Sequence, residues 1–250
     1  MKHILVTNDD GIYSPGLNPL VSALRRLGKI YVVVPNQSKS AVSHAITLDR
    51  PLRVYQVKNV YTVNGTPADC VRLAILSLIR NKVDLVVSGI NEGPNMGEDV
   101  IYSATVAAAR EAAMLGIPGL AVSLSIRNGK SASWRTAAKF AYQVSKWILK
   151  NGLPAGIFFN LNIPDVAEKK IKGFVITKLG KRIYSEKIDS RIDPRGLKYY
   201  WLAGATPSGV NTPGTDIAAL KKGMVSLTPL RYDSTAYDLI DKLKPSRMKY

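Results

Sequence analysis

Short, unbroken runs of apolar residues recur through the first two thirds of the chain. Such runs are typical of strands covered on both faces, as in parallel sheets. Between the first two runs, apolar side chains recur with helical spacing from Leu17 to Leu27, and Gly28 ends that stretch. A strand, a helix and a strand within about thirty residues form a right-handed crossover. The pattern predicts an α/β fold with a mostly parallel sheet and strands at 4–6, 30–34, 83–88, 119–124 and 157–163.

Hydroxyl residues stand where several helices are expected to begin. A Ser or Thr side chain caps a helix by accepting a hydrogen bond from a free backbone N–H, and proline is favoured at the first helical position. Ser14 precedes Pro15, and Thr66 precedes Pro67, with Asp69 completing a capping box. Ser103 precedes an alanine-rich stretch that ends at Gly116. These signals predict helices starting at 14, 66 and 103, the second reaching about 80, and the pattern adds a helix at 131–149.

The character of the chain changes after Pro164. Short apolar segments separated by Gly and Pro predict strands at 174–176, 183–188, 197–202 and 224–227, followed by a helix at 234–243. We expect one domain over 1–250, with a core at 1–164 and an antiparallel appendage with a closing helix at 165–250. The aromatic segment 199–201 holds more apolar surface than a lone hairpin can bury, which favours a dimerisation arm.

The chain is strongly basic, with 35 Lys and Arg against 18 Asp and Glu, a net charge of +17 over 250 residues. Such a charge attracts anionic partners, including phosphorylated substrates and nucleic acid. The basic residues are spread along the sequence, with no arginine-rich arm or aromatic-interleaved basic segment, so a dedicated nucleic-acid reader is the less favoured interpretation.

The lone cysteine, Cys70, has no intramolecular disulfide partner, which suits a reducing compartment. The apolar run near the N-terminus is too short for a secretion signal, and no run reaches the roughly 18 residues of a membrane span. We therefore expect a cytoplasmic protein that does not enter a membrane.

Oxygen-bearing side chains follow three of the predicted strands. Asp9 and Asp10 follow the first, Ser40 lies in a hydroxyl-rich loop after the second, and Asn91 follows the third. Ligands collect at the carboxyl ends of parallel strands, and carboxylate, hydroxyl and amide oxygens suit Mg²⁺ or Mn²⁺. Asp-Asp-Gly also suits an ordinary turn, and Ser40 and Asn91 taken singly suit ordinary loops. Only their combination predicts a metal site.

An anion site is expected beside that metal. The helix beginning at Ser103 offers free amides, and the glycine-rich loop 89–97 lets backbone approach a ligand closely. Neither a GxxxxGK[ST] phosphate loop nor a GxGxxG fingerprint occurs. The histidines are His3, ahead of the first strand, and His44, which we interpret as a surface loop residue. A cation beside an anion-binding helix end predicts phosphate ester hydrolysis by metal-activated water.

Several segments together resemble the SurE (survival protein E) family of metal-dependent phosphatases, in order along nearly the whole chain. They read TNDDG with SPG, PNQSKSAVS, GTPADC, SGINEGPNMG with YSATVAAA, and SLTPL. The resemblance implies a three-layer, Rossmann-like core and hydrolysis of nucleoside 5′- and often 3′-monophosphates. It also implies a homodimer or tetramer built partly from exchanged C-terminal elements.

Residue by residue, the resemblance assigns one Mg²⁺ or Mn²⁺ per subunit to Asp9, Asp10, Ser40 and Asn91. It assigns the phosphate to Asn95, Ser103 and Thr105. Ala104 departs from the family pattern, which usually has glycine there, and Glu92 adds a charge near the ion. We hypothesise that Asp9 or Asp10 is the catalytic base in a direct attack of water on phosphorus. Two alternatives stay open: a basic nucleic-acid-binding protein with a structural acidic loop, or the same site acting on polyphosphate or oligonucleotide ends.

Overall fold

The structure is a computed structural model that describes residues 1–126, 133–184, 188–202, 207–240 and 242–243. The helices in these residues are α1 (Leu17–Leu24), α2 (Pro67–Leu73), α3 (Asp99–Tyr102), α4 (Ala104–Met114), α5 (Trp134–Asn151), α6 (Asp216–Lys221) and α7 (Tyr237–Ile240). The strands are β1 (His3–Thr7), β2 (Lys29–Pro35), β3 (Val54–Val57), β4 (Val60–Val63), β5 (Leu85–Glu92), β6 (Gly119–Ser125), β7 (Ile157–Pro164), β8 (Phe174–Ile176), β9 (Arg182–Ile183), β10 (Asp189–Ile192), β11 (Lys198–Trp201), β12 (Ser208–Gly209) and β13 (Val225–Arg231).

Nine strands form one sheet in the order β3-β4-β2-β1-β5-β6-β7-β13-β8. The pairs from β4 through β7 are parallel, whereas β3 is antiparallel to β4 and β13 is antiparallel to β7. The chain runs outward from β1 to β2 on one side and continues with β5 on the other, so the strand order reverses at β1. Ligand crevices of doubly wound sheets form at such a reversal.

Helices cover both faces of the sheet. The face packed by α1 and α5 buries Leu20, Leu24 and Ile148. The opposite face, packed by α2 and α4, buries Val71 and Ala108. The strands between are apolar on both sides because each face meets a helical layer. The predicted three-layer, Rossmann-like α/β core is confirmed.

The C-terminal third differs from the expected arrangement in two strands. β8 and β13 extend the main sheet, with β8 parallel to β13, and do not belong to a separate antiparallel unit. Residues 225–228 are buried on both faces, and the Thr177 hydroxyl lies 2.7 Å from the hydroxyls of both Ser226 and Thr228. The glycine and proline that flank this segment, Gly223 and Pro229, made a core strand resemble a peripheral one. The division of the domain at residue 164 stays a prediction.

Antiparallel pairing does occur in two short two-stranded sheets, β10 with β11 and β9 with β12, and the first pair lies between the two strands of the second in the sequence. The predicted strand 183–188 extends into residues 185–187, which lie outside the described part of the chain. The predicted closing helix at 234–243 includes residue 241, which lies outside the described part of the chain; α7 begins at Tyr237, three residues later than predicted. Helix α6 was not predicted. Thr215 caps α6 by accepting a hydrogen bond from the Ala218 N–H.

Two of the three predicted caps are confirmed. Thr66 and Asp69 form a capping box at α2, which ends at Leu73 and continues as one π-helical turn over Ala74–Leu78. Ser103 caps α4. The assignment of Ser14 as a cap is wrong, because successive turns separate Ser14 from α1, and Gly16 occupies the capping position. Within the described ranges, no helix combines the length and apolar character that a bilayer crossing requires.

Candidate active site

A cleft of about 450 Å³ opens at the carboxyl rim of the sheet, where β1, β2 and β5 end. Its volume lies within the roughly 300 to 1,000 Å³ of small-molecule sites. Six of the seven predicted site residues line it: Asp9, Asp10, Ser40, Asn91, Asn95 and Ser103. The structure thus brings together side chains that are spread over about ninety positions of the sequence, as the parallel-strand argument required.

A closed turn presents the two aspartates. The Asn8 side chain donates to the Gly11 carbonyl and accepts from the Gly11 N–H, each at 2.9 Å. Gly11 has φ of +82°, and a side chain there would meet the Pro35 carbonyl oxygen at 2.9 Å. Glycine is required at this turn because an L side chain would be strained as well as crowded. The Asn-Asp-Asp-Gly order therefore places Asp9 and Asp10 at the tip.

Asp9 is only 4% exposed and is held from two sides. Its Oδ1 accepts a hydrogen bond of 2.7 Å from the Thr105 hydroxyl, and its carbonyl accepts one of 2.7 Å from the Lys39 N–H. Burial raises the pKa of Asp9 from 3.8 to about 6; the Thr105 hydrogen bond opposes this rise, and the charge on Asp10 adds to it.

Asp10 is half-buried, and its pKa is raised by burial and by the negative charge of Glu92. Among the described residues, none of these three acids has a Lys, Arg or His within ion-pairing distance. Uncompensated like charges in a partly buried site are unfavourable unless a cation or a proton neutralises them. The site has the charge that a divalent cation would balance.

The other two predicted ligands fit a hard cation by chemistry. The Asn91 amide donates to the Gly93 carbonyl at 3.0 Å, and its oxygen accepts no hydrogen bond from the described residues. Ser40 is exposed, with its hydroxyl 3.2 Å from that of Ser38. In the described part of the chain, no three His, Cys, Asp or Glu side chains are grouped as a metal site. A cation here would therefore need the neutral oxygens as well as the aspartates.

The predicted phosphate residues fall into two groups. The Ser103 hydroxyl caps α4, accepting from the Val106 N–H at 3.1 Å, so the capping residue of α4 lies at the cleft wall. Asn95 also lines the cleft. Thr105, in contrast, is fully buried and commits its hydroxyl to Asp9, so the structure places that hydroxyl behind the aspartate and outside the cleft lining.

Two buried asparagines that sequence reasoning missed hold Asn95 in place. The Asn95 N–H donates to Asn162 Oδ1, and the side chains of Asn160 and Asn162 both donate to the Asn95 carbonyl, each at 2.9 Å. The Asn95 side chain donates to Ser123 at 2.8 Å. Asparagines at alternate positions of an otherwise apolar strand were the available signal, because buried amides need partners.

A buried carboxylate, Glu111, joins the hydroxyl-rich loop to two helices. Its Oε2 lies 2.8 Å from His44 Nε2 and its Oε1 lies 2.8 Å from Arg72 Nε. His44 is therefore not the surface loop residue we expected. The same loop is fixed to α3 by Ser43, which donates to the carbonyls of Ile101 and Tyr102. The sequence feature that could have indicated this pairing is a single acidic residue, Glu111, within an alanine-rich helix.

The doubly wound sheet and the cleft define the general class of protein. It is an α/β protein whose cleft lies at the switch point of the sheet and places the carboxylates of Asp9 and Asp10 beside Ser103 at the N-terminus of α4. A family model described as "Survival protein SurE" matches residues 4–186. The chain belongs to the SurE family.

Similar proteins support this membership over the full length. A "5′-nucleotidase SurE" of Geobacter sulfurreducens is 48% identical over 236 residues, covering 94% of this chain and 90% of that protein. A "5′-nucleotidase SurE" of Moorella thermoacetica is 48% identical over 246 residues, covering 96% and 94%. The crystal structure of SurE from Aquifex aeolicus superposes with a TM-score of 0.84 at 41% identity, covering 97% of this chain and 98% of that one.

Proposed function

We propose that the chain hydrolyses nucleoside 5′-monophosphates, and 3′-monophosphates as well, to nucleosides and inorganic phosphate. The observation that supports the proposal is the cleft itself. Asp9 and Asp10, which have no cationic partner among the described residues, line it together with Ser103 at the N-terminus of α4. Relatives spanning nearly the whole chain carry the name 5′-nucleotidase. A net charge of +17 favours anionic substrates.

The proposed cofactor is one Mg²⁺ or Mn²⁺ per subunit, held by Asp9, Asp10, Ser40 and Asn91. When bound, the cation supplies Lewis acidity, which polarises the phosphoryl group and makes a nearby water easier to deprotonate. Oxygen ligands of three kinds and the excess negative charge support a hard cation. We propose that Thr105 orients Asp9, because the Thr105 hydroxyl donates a hydrogen bond to that carboxylate.

The phosphate is proposed to lie against Ser103 and Asn95. The free amides at the start of α4 and the helix dipole favour an anion there. The methyl of Ala104 is fully buried, so the departure from glycine adds packing without adding a group to the cleft surface. In this proposal Thr105 belongs to the phosphate site as part of the first turn of α4. Its hydroxyl does not contact the phosphate, because it donates to Asp9.

Proton transfer is proposed to involve the more exposed aspartate. The oxygen of water bonds to phosphorus as the bond from phosphorus to the sugar oxygen breaks; one water proton passes to a carboxylate, and the leaving sugar oxygen takes up a proton from solvent to give the nucleoside hydroxyl. Asp10 is half-buried in the cleft, whereas Asp9 is almost fully buried and accepts from Thr105. We therefore assign Asp10 to receive the proton and Asp9 to a fixed supporting position.

We propose a homodimer or tetramer whose contacts include the C-terminal elements. Tyr200 and Trp201 of β11 are more than half exposed in one chain, which is costly in water and favours burial against a second copy. The single, fully buried Cys70 supports a cytoplasmic location, where thiols stay reduced.

The activity is tested by phosphate release from a panel of nucleoside 5′- and 3′-monophosphates, with Mn²⁺ or Mg²⁺ and with EDTA. We expect metal-dependent release by the parent chain and a loss of at least a hundredfold in Asp10→Asn, which keeps the side-chain volume. Asp84→Asn is the matched control, since Asp84 lies at the opposite, amino end of the sheet beside Lys2. Release that persists in EDTA or in Asp10→Asn would contradict the proposal.

A further inference from the structure

Two residues from the C-terminal third, Arg182 and Tyr184, line the cleft together with Asp9, Asp10 and Ser103. Arg182 belongs to β9, and Tyr184 follows that strand. At about 450 Å³ the cleft has room for a small molecule larger than a phosphate group.

Asp99 of α3 contacts both Arg182 and Tyr184. Arg182 Nε lies 2.7 Å from Asp99 Oδ2, and the Tyr184 hydroxyl donates a hydrogen bond to Asp99 Oδ1. The Arg182 backbone N–H donates to the Glu98 carboxylate at 2.6 Å. The tyrosine ring is thus anchored by its hydroxyl, and the positive charge of Arg182 is paired with Asp99.

The ring of Tyr184 remains accessible although its hydroxyl is engaged. Tyr184 is 44% exposed, and Tyr102, which lines the same cleft, is 58% exposed. Exposed aromatic faces in a ligand cleft are costly in water and bind planar, apolar partners. All nucleobases can stack on such faces, because every base has a π-face.

We propose that Tyr184 forms the stacking surface for the nucleobase of the substrate and so distinguishes nucleotides from simpler phosphate monoesters. The inference deepens the proposed nucleotidase function and rests on it for the phosphate end of the cleft. Its substrate class is nucleoside monophosphates with tolerance among bases, since stacking on a ring supplies little base readout. The anchoring by Asp99 makes the subsite depend on the C-terminal strand β9.

The test compares two substrates that differ only in the base, adenosine 5′-monophosphate and ribose 5-phosphate. Tyr184→Ala is expected to lower kcat/KM about tenfold or more for the nucleotide and less than twofold for ribose 5-phosphate, in line with stacking losses on truncation to alanine. Tyr184→Phe keeps the ring and should retain most of the nucleotide activity. Tyr55→Ala is the matched control, because Tyr55 is a comparably exposed tyrosine on β3, outside the cleft lining.

Equal losses on both substrates in Tyr184→Ala would overturn the proposal, as would an unchanged kcat/KM for the nucleotide. Equilibrium dialysis of adenosine 5′-monophosphate in EDTA separates the two proposals. Nucleotide binding that weakens about tenfold in Tyr184→Ala supports the stacking subsite even if the parent chain, assayed separately with Mn²⁺ or Mg²⁺, releases no phosphate, a result that would overturn only the nucleotidase. Binding that does not change removes the subsite, whatever the activity. Should Tyr184→Ala fail to fold, Tyr184→Leu, which keeps apolar bulk without a π-face, must show the same selective loss.

Discussion

The hydroxyl of Thr105 donates a 2.7 Å hydrogen bond to Oδ1 of Asp9, across 96 positions of sequence. The bond joins the first turn of α4 to the end of β1, so the proposed anion-binding helix and the proposed cation ligand are fixed relative to each other. Groups that orient metal ligands commonly change metal affinity or activity by roughly 10- to 100-fold when removed. Thr105 is placed to do this for Asp9.

Replacing Thr105 with valine is expected to weaken Mn²⁺ binding by about tenfold or more, because Asp9 loses its donor while the volume is kept. Isothermal titration calorimetry measures the affinity independently of turnover. Thr105→Ser retains a hydroxyl and should bind Mn²⁺ within a few-fold of the parent chain. An unchanged affinity in Thr105→Val would show that this hydrogen bond does not position the ligand.

Removing the Glu111 carboxylate is expected to destabilise the fold. In Glu111→Ala, His44 and Arg72 lose their shared partner, which is fully buried on α4. We expect a loss of about 2 kcal/mol in the free energy of unfolding, below the roughly 3–5 kcal/mol of a fully buried pair because Arg72 is partly exposed. Urea denaturation measures it. Glu168→Ala, which breaks the exposed pair with Lys139, should change stability by less than about 1 kcal/mol.

The stability of the metal-free protein is expected to fall as pH rises from about 4 to about 6. Burial raises the folded-state pKa of Asp9 from 3.8 to about 6, so the folded state binds more protons than the unfolded state in this window. Stability then decreases with pH, by at most ~3 kcal/mol from this group, and the raised pKa of Asp10 acts in the same direction.

Thermal denaturation in EDTA across that range checks the sign. Asp9→Asn cannot ionise and should show a flatter pH profile than the parent chain. Asp233→Asn is the control, since that exposed carboxyl has a lowered pKa of about 2 and should leave the decrease in place. A parent chain that gains stability from pH 4 to 6 would contradict this account of Asp9.

Cys70 is expected to resist thiol reagents in the folded protein. It is fully buried in α2, and its pKa is raised, mainly by burial and to a smaller extent by the charge of Asp69. A thiol reagent therefore cannot reach the sulfur, and the reactive thiolate form is disfavoured. Reaction with a chromogenic disulfide should be at least a hundredfold slower than in 6 M urea, where one thiol per chain reacts. Stoichiometric labelling of the native protein within seconds would show that α2 opens readily.

The elements that the sequence predicted well are those set by local signals. Unbroken apolar runs located the core strands, and Thr66 with Asp69 located α2, because both signals act within a few residues. The turn of Asp9 and Asp10 was also readable, since Asn and Gly flank the acids. Residues lining the rim could be grouped because parallel strands end at a common edge.

The remaining features depend on contacts between distant segments. Asn160 reaches Asn95 across 65 positions, and Tyr184 reaches Asp99 across 85. No periodicity or turn chemistry encodes such a partner. β13 was misassigned for the same reason, because only its position between β7 and β8 shows that its hydroxyl residues are core residues.

Asp216 accepts hydrogen bonds from the backbone N–H groups of Gly97 and Gly180, at 2.9 and 2.8 Å. One carboxylate at the start of α6 therefore fastens the glycine-rich loop of the cleft to the segment leading into β9. The part of the chain that carries the proposed metal ligands therefore depends on a carboxylate in the C-terminal third. A chain that ended after residue 186, where the family match ends, would keep all four proposed metal ligands. It would lose Asp216 and with it the hydrogen bonds that tie the loop carrying Asn91 to the segment leading into β9.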